Sequence, residues 1–188
     1  MKIYLFRHGE TEWSVAGRHT GLTDLPLTEK GIAEAKCLRM GMQFDKVMTS
    51  PLKRAKETCI LAGYEKEMIV EPALVEWNYG DYEGKTSKEI WEGNPGWTIF
   101  NQDPPNGEKA EEVGKRADLV ISKCSQGVTA IFSSGHFLRV LAARWLGLAA
   151  ADGRYLVLST ASRSLLGSEH KSPAILLWND TSHLDKLG

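Results

Sequence analysis

The chain has 188 residues, of which 42% are hydrophobic and 25% are charged, and its formal net charge at pH 7 is −1. This length suits one domain, so we expect residues 1–188 to fold together, and the near-neutral charge gives no reason to expect nucleic acid or a membrane as partner. No stretch approaches the roughly 18 apolar residues of a membrane span, and no basic segment followed by an apolar run marks a signal peptide. We therefore expect a cytoplasmic protein.

The first third of the chain alternates short apolar runs with amphipathic segments. Apolar runs of strand length and apolar residues at helical spacing predict the following order. A strand at 2–6 precedes a polar loop at 9–26, a helix at 29–42 capped by Thr28, a strand at 46–49, a helix at 52–62 and a short strand at 68–70.

The stretch from 71 to 108 loses this pattern and is rich in Trp, Gly, Pro and Asn. Thr86 and Glu89 have capping-box spacing and predict one short helix within it. A long irregular segment inside a compact domain is usually a lid or binding region, so we expect an insertion of that kind here.

Periodicity returns after residue 108, with a helix at 109–125, a strand at 128–132, a helix at 137–148 and strands at 164–168 and 174–178. The alternation predicts an α/β fold, a three-layer α/β/α sandwich with a mostly parallel sheet and helices on both faces. In such sheets ligands gather beyond the carboxyl ends of the strands, so residues that follow strands are the first candidates for a site.

Charged and titratable side chains follow four of the predicted strands. They are Arg7 and His8, Arg54, Glu76, and His136. Arginine forks match phosphate oxygens, a histidine can attack phosphorus, a second histidine can stabilise the transferring group, and a carboxylic acid can protonate the departing alkoxide. The residues alone predict an anion-binding site, and phosphoryl transfer is one chemistry that would use the whole set. Surface charges and helix caps are the ordinary alternative roles of the same residues.

Metal chemistry and other cofactors are not expected from this set. The five histidines include no pair at three- to five-residue spacing, and neighbouring arginines would repel a cation. Cys37, Cys59 and Cys124 have no paired spacing, so we expect reduced thiols rather than disulfides or a zinc site.

The segment FRHGET at 6–11 resembles the RHG signature of the histidine phosphatase superfamily, the phosphoglycerate mutase-like proteins. The resemblance continues in the family's order through GRHTGLTDLPLTEKG (17–31), TSPLKRAKETC (49–59), EWNYGDYEG (76–84), NGE (106–108) and SSGHFLRVLAARWLGL (133–148). RHG alone is a weak motif, whereas the blocks together span most of the chain and are highly specific.

The resemblance implies a role for each matching residue. His8 would be the phosphorylated nucleophile, Arg7, Arg54 and His136 would form the phosphate pocket, and Glu76 would donate the proton. Ser14, Thr20, Gly21 and Tyr79 would face the substrate. The implied partner is a small phosphorylated metabolite, with no cofactor, in a monomer or homodimer.

Departures from the mutase pattern favour the phosphatase branch of the family. Mutases carry basic residues just after the proton-donor glutamate and in the following insertion, but here Trp77 and Asn78 follow Glu76, and residues 91–107 contain no Arg or Lys. The chain is similar to small acid phosphatases and to sedoheptulose-bisphosphate phosphatase, which implies a sugar phosphate as substrate. A phosphoglycerate mutase and a non-catalytic phospho-ligand-binding protein are the alternatives.

Four aromatic residues of the irregular segment, Trp77, Trp91, Trp97 and Phe100, have two possible roles. They could wall a pocket for a non-carboxylate leaving group, or they could form the segment's own small core.

Overall fold

A computed structural model describes residues 1–124 and 127–187, which form one six-stranded sheet. The strands are β1 (Lys2–Arg7), β2 (Lys46–Thr49), β3 (Met68–Val70), β4 (Val128–Ser133), β5 (Arg163–Glu169) and β6 (Ser172–Asp180), in the order β3-β2-β4-β1-β5-β6. The first four in this order are parallel, whereas β5 pairs antiparallel with β1, and β6 with β5. The prediction of a mostly parallel α/β sheet is confirmed.

Helices cover both faces of the sheet. They are α1 (Glu12–Val15), α2 (Glu29–Cys37), α3 (Lys53–Leu61), α4 (Ser87–Trp91), α5 (Ala110–Lys123) and α6 (Gly135–Trp145). Alternate residues of β1 point to opposite sides: Ile3 and Leu5 pack with the apolar faces of α5 and α6, whereas Phe6 packs with residues of α3 and the segment after α2. This period of two places one apolar core on each side of the sheet and produces three layers.

Several predicted boundaries are wrong, for local reasons. Helix α2 ends at Cys37 instead of residue 42, and Gly41 downstream has a φ of +66°, which no helix can include. Helix α6 begins at Gly135 and ends at Trp145, before Gly147 at φ +76°. The predicted loop at 9–26 contains the short helix α1, capped by Thr11. The predicted end of α5 at Ser125 lies outside the described residues.

The cap predictions at Thr28 and Thr86 are confirmed. Thr28 accepts a hydrogen bond from the Gly31 amide, and Thr86 and Glu89 form a reciprocal capping box at the start of α4. In the irregular segment, 3₁₀ turns at Pro72–Leu74 and Gly80–Tyr82 precede α4. Among the described helices, none is long and apolar enough to cross a membrane.

Two glycines allow α2 to lie directly against the loop that follows β1. A Cβ on Gly9 would lie 2.4 Å from the Gly31 carbonyl oxygen, and a Cβ on Gly31 would lie 2.1 Å from the Glu10 carbonyl oxygen. Both distances are far below van der Waals contact, so no other residue fits at either position without moving the backbone. This contact brings the start of α2 against the residues next to His8.

We predict that Gly31→Ala lowers the free energy of unfolding by about 1–3 kcal/mol, because the added methyl group meets backbone rather than a movable side chain. The sign is informative, because Gly to Ala inside a helix otherwise stabilises by about 0.5–1 kcal/mol. Urea unfolding measures the difference. Gly93→Ala is the control: a Cβ there has nothing within 4 Å, so a change within about 0.5 kcal/mol is expected. A Gly31→Ala protein as stable as the parent would contradict the close approach.

Candidate active site

The carboxyl ends of two central strands bring the candidate residues to one edge of the sheet. Arg7 pairs in register with Ser133 of the parallel strand β4, and the His8 amide donates to the Ser133 carbonyl at 3.0 Å. The segment that follows Ser133 leads into α6 with His136 in its first turn. Two strand ends that are distant in sequence therefore set Arg7, His8 and His136 side by side.

These residues open into a cavity that contains most of the predicted site. It is lined by Arg7, His8, Ser14, Thr20, Glu76, Tyr79 and His136 among the predicted residues, and also by Gly17, Arg18, His19, Ser87, Gly135, Arg139 and Leu158. Arg54 and Gly21 are not among the lining residues, although Arg54 donates to the carbonyl of Thr20, which is one of them. No group of three or more His, Cys, Asp or Glu side chains suited to a metal ion occurs among residues 1–124 and 127–187.

The His8 ring is held in one tautomer by the backbone. Its Nδ1 lies 2.8 Å from the carbonyl oxygen of Gly9, which can only accept, so Nδ1 carries the proton. Burial, and then the charges of Arg54 and Arg7, hold the pKa of His8 well below its usual 6.5. The ring is therefore neutral at neutral pH, and the lone pair lies on Nε2. This is the form of histidine that acts as a nucleophile.

The two arginines predicted for the site have different surroundings. Arg7 donates from Nη1 to the carbonyl of Leu158, whereas its buried Nε has no hydrogen-bond partner among the described residues. A Cβ on Gly135 would lie 3.2 Å from the Arg7 Cζ, so the glycine lets the chain pass close to the guanidinium.

Arg54 is fully buried; its Nε donates to the Ser134 hydroxyl at 3.4 Å, and its other hydrogen bonds go to the loop that carries Thr20 and Gly21. It donates to the carbonyls of Thr20, Gly21 and Thr23 at 2.8–3.1 Å. Gly21 has no room for a side chain, because a Cβ there would lie 2.6 Å from the Trp77 carbonyl oxygen. Arg54 thus shapes the loop beside the cavity while its charge acts on His8.

The Glu76 carboxylate is oriented by three backbone amides. Oε1 accepts from Trp77 at 2.9 Å and from Phe137 at 2.7 Å, and Oε2 accepts from His136 at 2.9 Å. Two of these amides belong to the first turn of α6, where N–H groups lack partners within the helix and the dipole favours negative charge. The carboxylate therefore caps α6 while its residue lines the cavity.

Tyr79 fixes the ring of His136. The hydroxyl lies 2.6 Å from Nδ1, and burial together with Glu76 raises the pKa of Tyr79 well above 10, so the phenol keeps its proton. The hydroxyl has no other hydrogen-bond partner in the described part of the chain, so we assign it as the donor to Nδ1. Burial and nearby cationic groups hold the pKa of His136 well below 6.5. Its single ring proton is then on Nε2.

Sequence reasoning missed Arg18, His19 and Arg139 in the cavity lining. For Arg139 a signal existed: it follows His136 by three residues in α6, and residues three apart share a helix face. Arg18 reaches the cavity through a β-bridge with Thr86 that pairs two irregular segments, which no local pattern indicates.

The predicted aromatic wall is not part of this cavity. Trp77, Trp97 and Phe100 are buried in the core cluster that includes α5 and α6, and Trp91 is 46% exposed. The alternative role, a small core of the segment's own, is also wrong as stated, because the three buried rings belong to the main core that packs on this face of the sheet.

Comparison with known proteins agrees with this site. The family model of the histidine phosphatase superfamily (branch 1) matches residues 3–181. The acid phosphatase of Mycobacterium tuberculosis is 36% identical over 191 residues, which cover 97% of this chain and 94% of that protein. The sedoheptulose 1,7-bisphosphatase of Saccharomyces cerevisiae is 34% identical, with 78% and 68% covered.

A solved structure extends the similarity to the fold. A mutant phosphoserine phosphatase from Entamoeba histolytica, in complex with phosphoserine, superposes with a TM-score of 0.86 at 26% identity, covering 97% of this chain and 98% of that one. The chain belongs to the histidine phosphatase superfamily, branch 1. Within it, the chain is a phosphatase with the phosphoglycerate mutase-like fold.

The lowered pKa values predict a pH dependence of stability. A histidine whose pKa is lower in the folded than in the unfolded protein contributes stability above pH 6.5, and this stability is lost as the pH falls below that value. Each such histidine contributes a slope of up to about 1.4 kcal/mol per pH unit. Urea unfolding between pH 5 and 7 should show the free energy of unfolding decreasing toward acid.

The share of His8 can be separated with His8→Asn, whose amide can still donate to the Gly9 carbonyl. We expect a shallower slope for this variant than for the parent. Equal slopes for His8→Asn and the parent would show that His8 is not held neutral by the fold.

Proposed function

We propose that the protein hydrolyses phosphomonoesters without a metal, through a phosphohistidine on His8, and acts on a small phosphorylated metabolite, with a sugar phosphate as the expected substrate. The observation that carries the proposal is the His8 ring: its Nδ1 proton is held by the Gly9 carbonyl and its pKa is lowered, which leaves a neutral Nε2 in a cavity with Arg7 and His136.

In the first step, Nε2 of His8 attacks phosphorus, a P–N bond forms and the ester P–O bond breaks. Arg7 and the Nε2–H of His136 donate hydrogen bonds to the phosphoryl oxygens, whose charge changes in the transition state. Glu76 gives its proton to the departing alkoxide, which leaves as the alcohol.

In the second step, Glu76 takes a proton from water, which attacks the phosphorus of the phosphohistidine. The P–N bond breaks, inorganic phosphate leaves and His8 returns to its neutral form. The three amides on Glu76 hold the carboxylate in one orientation, which suits a group that acts in both steps. Arg54 contributes positive charge near His8. Ser14, Thr20 and Tyr79 face the substrate. Gly21 supports the loop that carries Thr20.

The expected substrate class is supported by relatives of the phosphatase type, one of which is named for a sugar bisphosphate. The alternative reaction, transfer of the phosphoryl group to phosphoglycerate as in a mutase, is also supported by one observation. The lack of basic residues at 91–107 argued against it, yet Arg18, His19 and Arg139 bring basic groups to the cavity from other segments.

The proposal predicts that His8→Ala abolishes phosphate release, because the other neutral imidazole, His136, has its lone pair on Nδ1 engaged by the Tyr79 hydroxyl. Phosphate release from sugar phosphates, phosphoglycerates and an aryl phosphate, with EDTA present, measures turnover. Circular dichroism establishes that the variant is folded. In the parent, acid-labile and base-stable phosphate should be trapped on the chain by rapid quenching. A folded His8→Ala protein that still turns over would exclude the mechanism.

Glu76→Gln predicts a loss that depends on the leaving group. Turnover of an alkyl phosphate should fall by about 10²–10⁴, since its alkoxide needs a proton, whereas an activated aryl phosphate should lose far less. The ratio of the two losses within one variant cancels any loss from imperfect packing of the amide against the α6 amides. Glu111→Gln, at an exposed carboxylate of α5 paired with Lys115 outside the cavity, is the matched control and should leave the ratio unchanged. Equal losses on both substrates would remove Glu76 from the acid role.

A further inference from the structure

Arg54 is a fully buried cation whose hydrogen bonds, within the described residues, all go to neutral acceptors. These acceptors are the carbonyls of Thr20, Gly21 and Thr23 and the hydroxyl of Ser134. Burial lowers the pKa of Arg54, and nearby acidic groups, among them Glu76 and Glu83, oppose this shift. The position of Arg54 near His8 therefore depends on how firmly the loop at 20–23 is held.

The Glu83 carboxylate holds this loop from the opposite side. Its Oε1 accepts from the amides of Gly21 at 2.9 Å and Thr23 at 3.1 Å, and its Oε2 accepts from the Gly21 amide at 3.0 Å. The Gly21 amide and the Thr20 carbonyl belong to one trans peptide group, whose N–H and C=O point in opposite directions. One peptide group thus lies between the carboxylate of Glu83 and the guanidinium of Arg54.

The preceding part of the loop is attached in another way. There the backbone makes the contact, since the His19 amide donates to the Lys85 carbonyl at 2.9 Å. At Gly21 the side chain of Glu83 makes it instead, and a Cβ on that glycine would lie only 2.6 Å from Oε2. Glu83 is therefore the group that fixes the part of the loop to which Arg54 donates.

We propose that Glu83 is a positioning residue for Arg54: it holds the loop at 20–23 so that the loop carbonyls keep the guanidinium at the phosphoryl site. This inference rests on the proposed function, in which Arg54 contributes positive charge near His8. Glu83 does not line the cavity, so it acts through Arg54 and not on the substrate. Without its carboxylate, two amides lose their acceptor, and the loop moves together with the arginine that it binds.

Two substitutions separate the hydrogen bonds of Glu83 from its charge. Glu83→Ala removes the acceptor and should lower kcat about 10- to 100-fold, less than the roughly 10²–10³ that follows removal of a stabilising donor, since Arg54 is still present. The loss should be equal for an alkyl and an aryl phosphate, because Arg54 acts on the phosphoryl group that both share. Glu83→Gln keeps an oxygen that can accept from both amides, as Oε1 does, so kcat should stay within about threefold of the parent.

A double-mutant cycle with Arg54 distinguishes positioning from a general loss of structure. Arg54→Lys keeps the charge without the fork that reaches three carbonyls. In this background Glu83→Ala should lower kcat less than about threefold, because the geometry that Glu83 maintains is already lost. The same loss in both backgrounds would overturn the inference. If circular dichroism shows that Arg54→Lys is unfolded, the single variants decide: a loss that depends on the leaving group, or a Glu83→Gln loss as large as that of Glu83→Ala, overturns it.

Asp103→Ala is the matched control. The exposed carboxylate of Asp103 also accepts from a backbone amide, that of Ala110 at 2.9 Å, but outside the cavity, so this variant should keep the parent's kcat. An active parent whose turnover is unchanged by Glu83→Ala would overturn this inference alone. Absence of phosphate release from every substrate would instead overturn the proposed function and this inference with it.

Discussion

The contact between Glu76 and the first turn of α6 is the interaction on which the site depends. Glu76 comes from the irregular segment after β3, whereas α6 follows β4 at the centre of the sheet, and the two are 60 residues apart at Glu76 and His136. The carboxylate satisfies two amides that have no partner within the helix, which would otherwise be costly to bury. One carboxylate therefore sets the position of His136 relative to β1 and attaches the irregular segment to the sheet.

A second set of contacts, made by α5 and by the end of β4, also holds the irregular segment against the sheet. Arg116 of α5 forms a salt bridge with Glu108 at 2.6 Å and donates to the carbonyls of Ala73 and Val75, just before Glu76. Ser133, the last residue of β4, donates to the Leu74 carbonyl at 2.6 Å. Because these partners carry charge or are buried, the backbone just before Glu76 has few alternative positions. The irregular segment is thus rigid where it meets the chemistry.

The predictable part of the fold follows from local signals that agree with each other. All six strands were predicted near their observed bounds, because apolar runs of strand length were separated by amphipathic helices, and the parallel arrangement then placed Arg7, His8 and His136 at one edge. Helix ends were less predictable. The helical spacing of apolar residues continues after Cys37, but Gly41 has a positive φ that a helix cannot include. Arg18 and His19 could not be predicted as cavity residues, because their position depends on long-range pairing with 84–86. The role of the tryptophans depended on burial, which pattern alone does not determine.

The surroundings of His8 must meet two requirements of the proposed mechanism that oppose each other. A nucleophilic histidine must be neutral, whereas a phosphate dianion must be held by cations close to the same ring. Arg7 and Arg54 disfavour the imidazolium by repulsion, and burial disfavours it by desolvation, so both act in the same direction on His8. In the proposed mechanism, the charge of an incoming phosphate compensates that of the arginines, while the neutral His8 ring offers its electron pair. The positive charge around His8 thus resides on arginines, which cannot lose it at neutral pH, and the ring of His8 stays neutral.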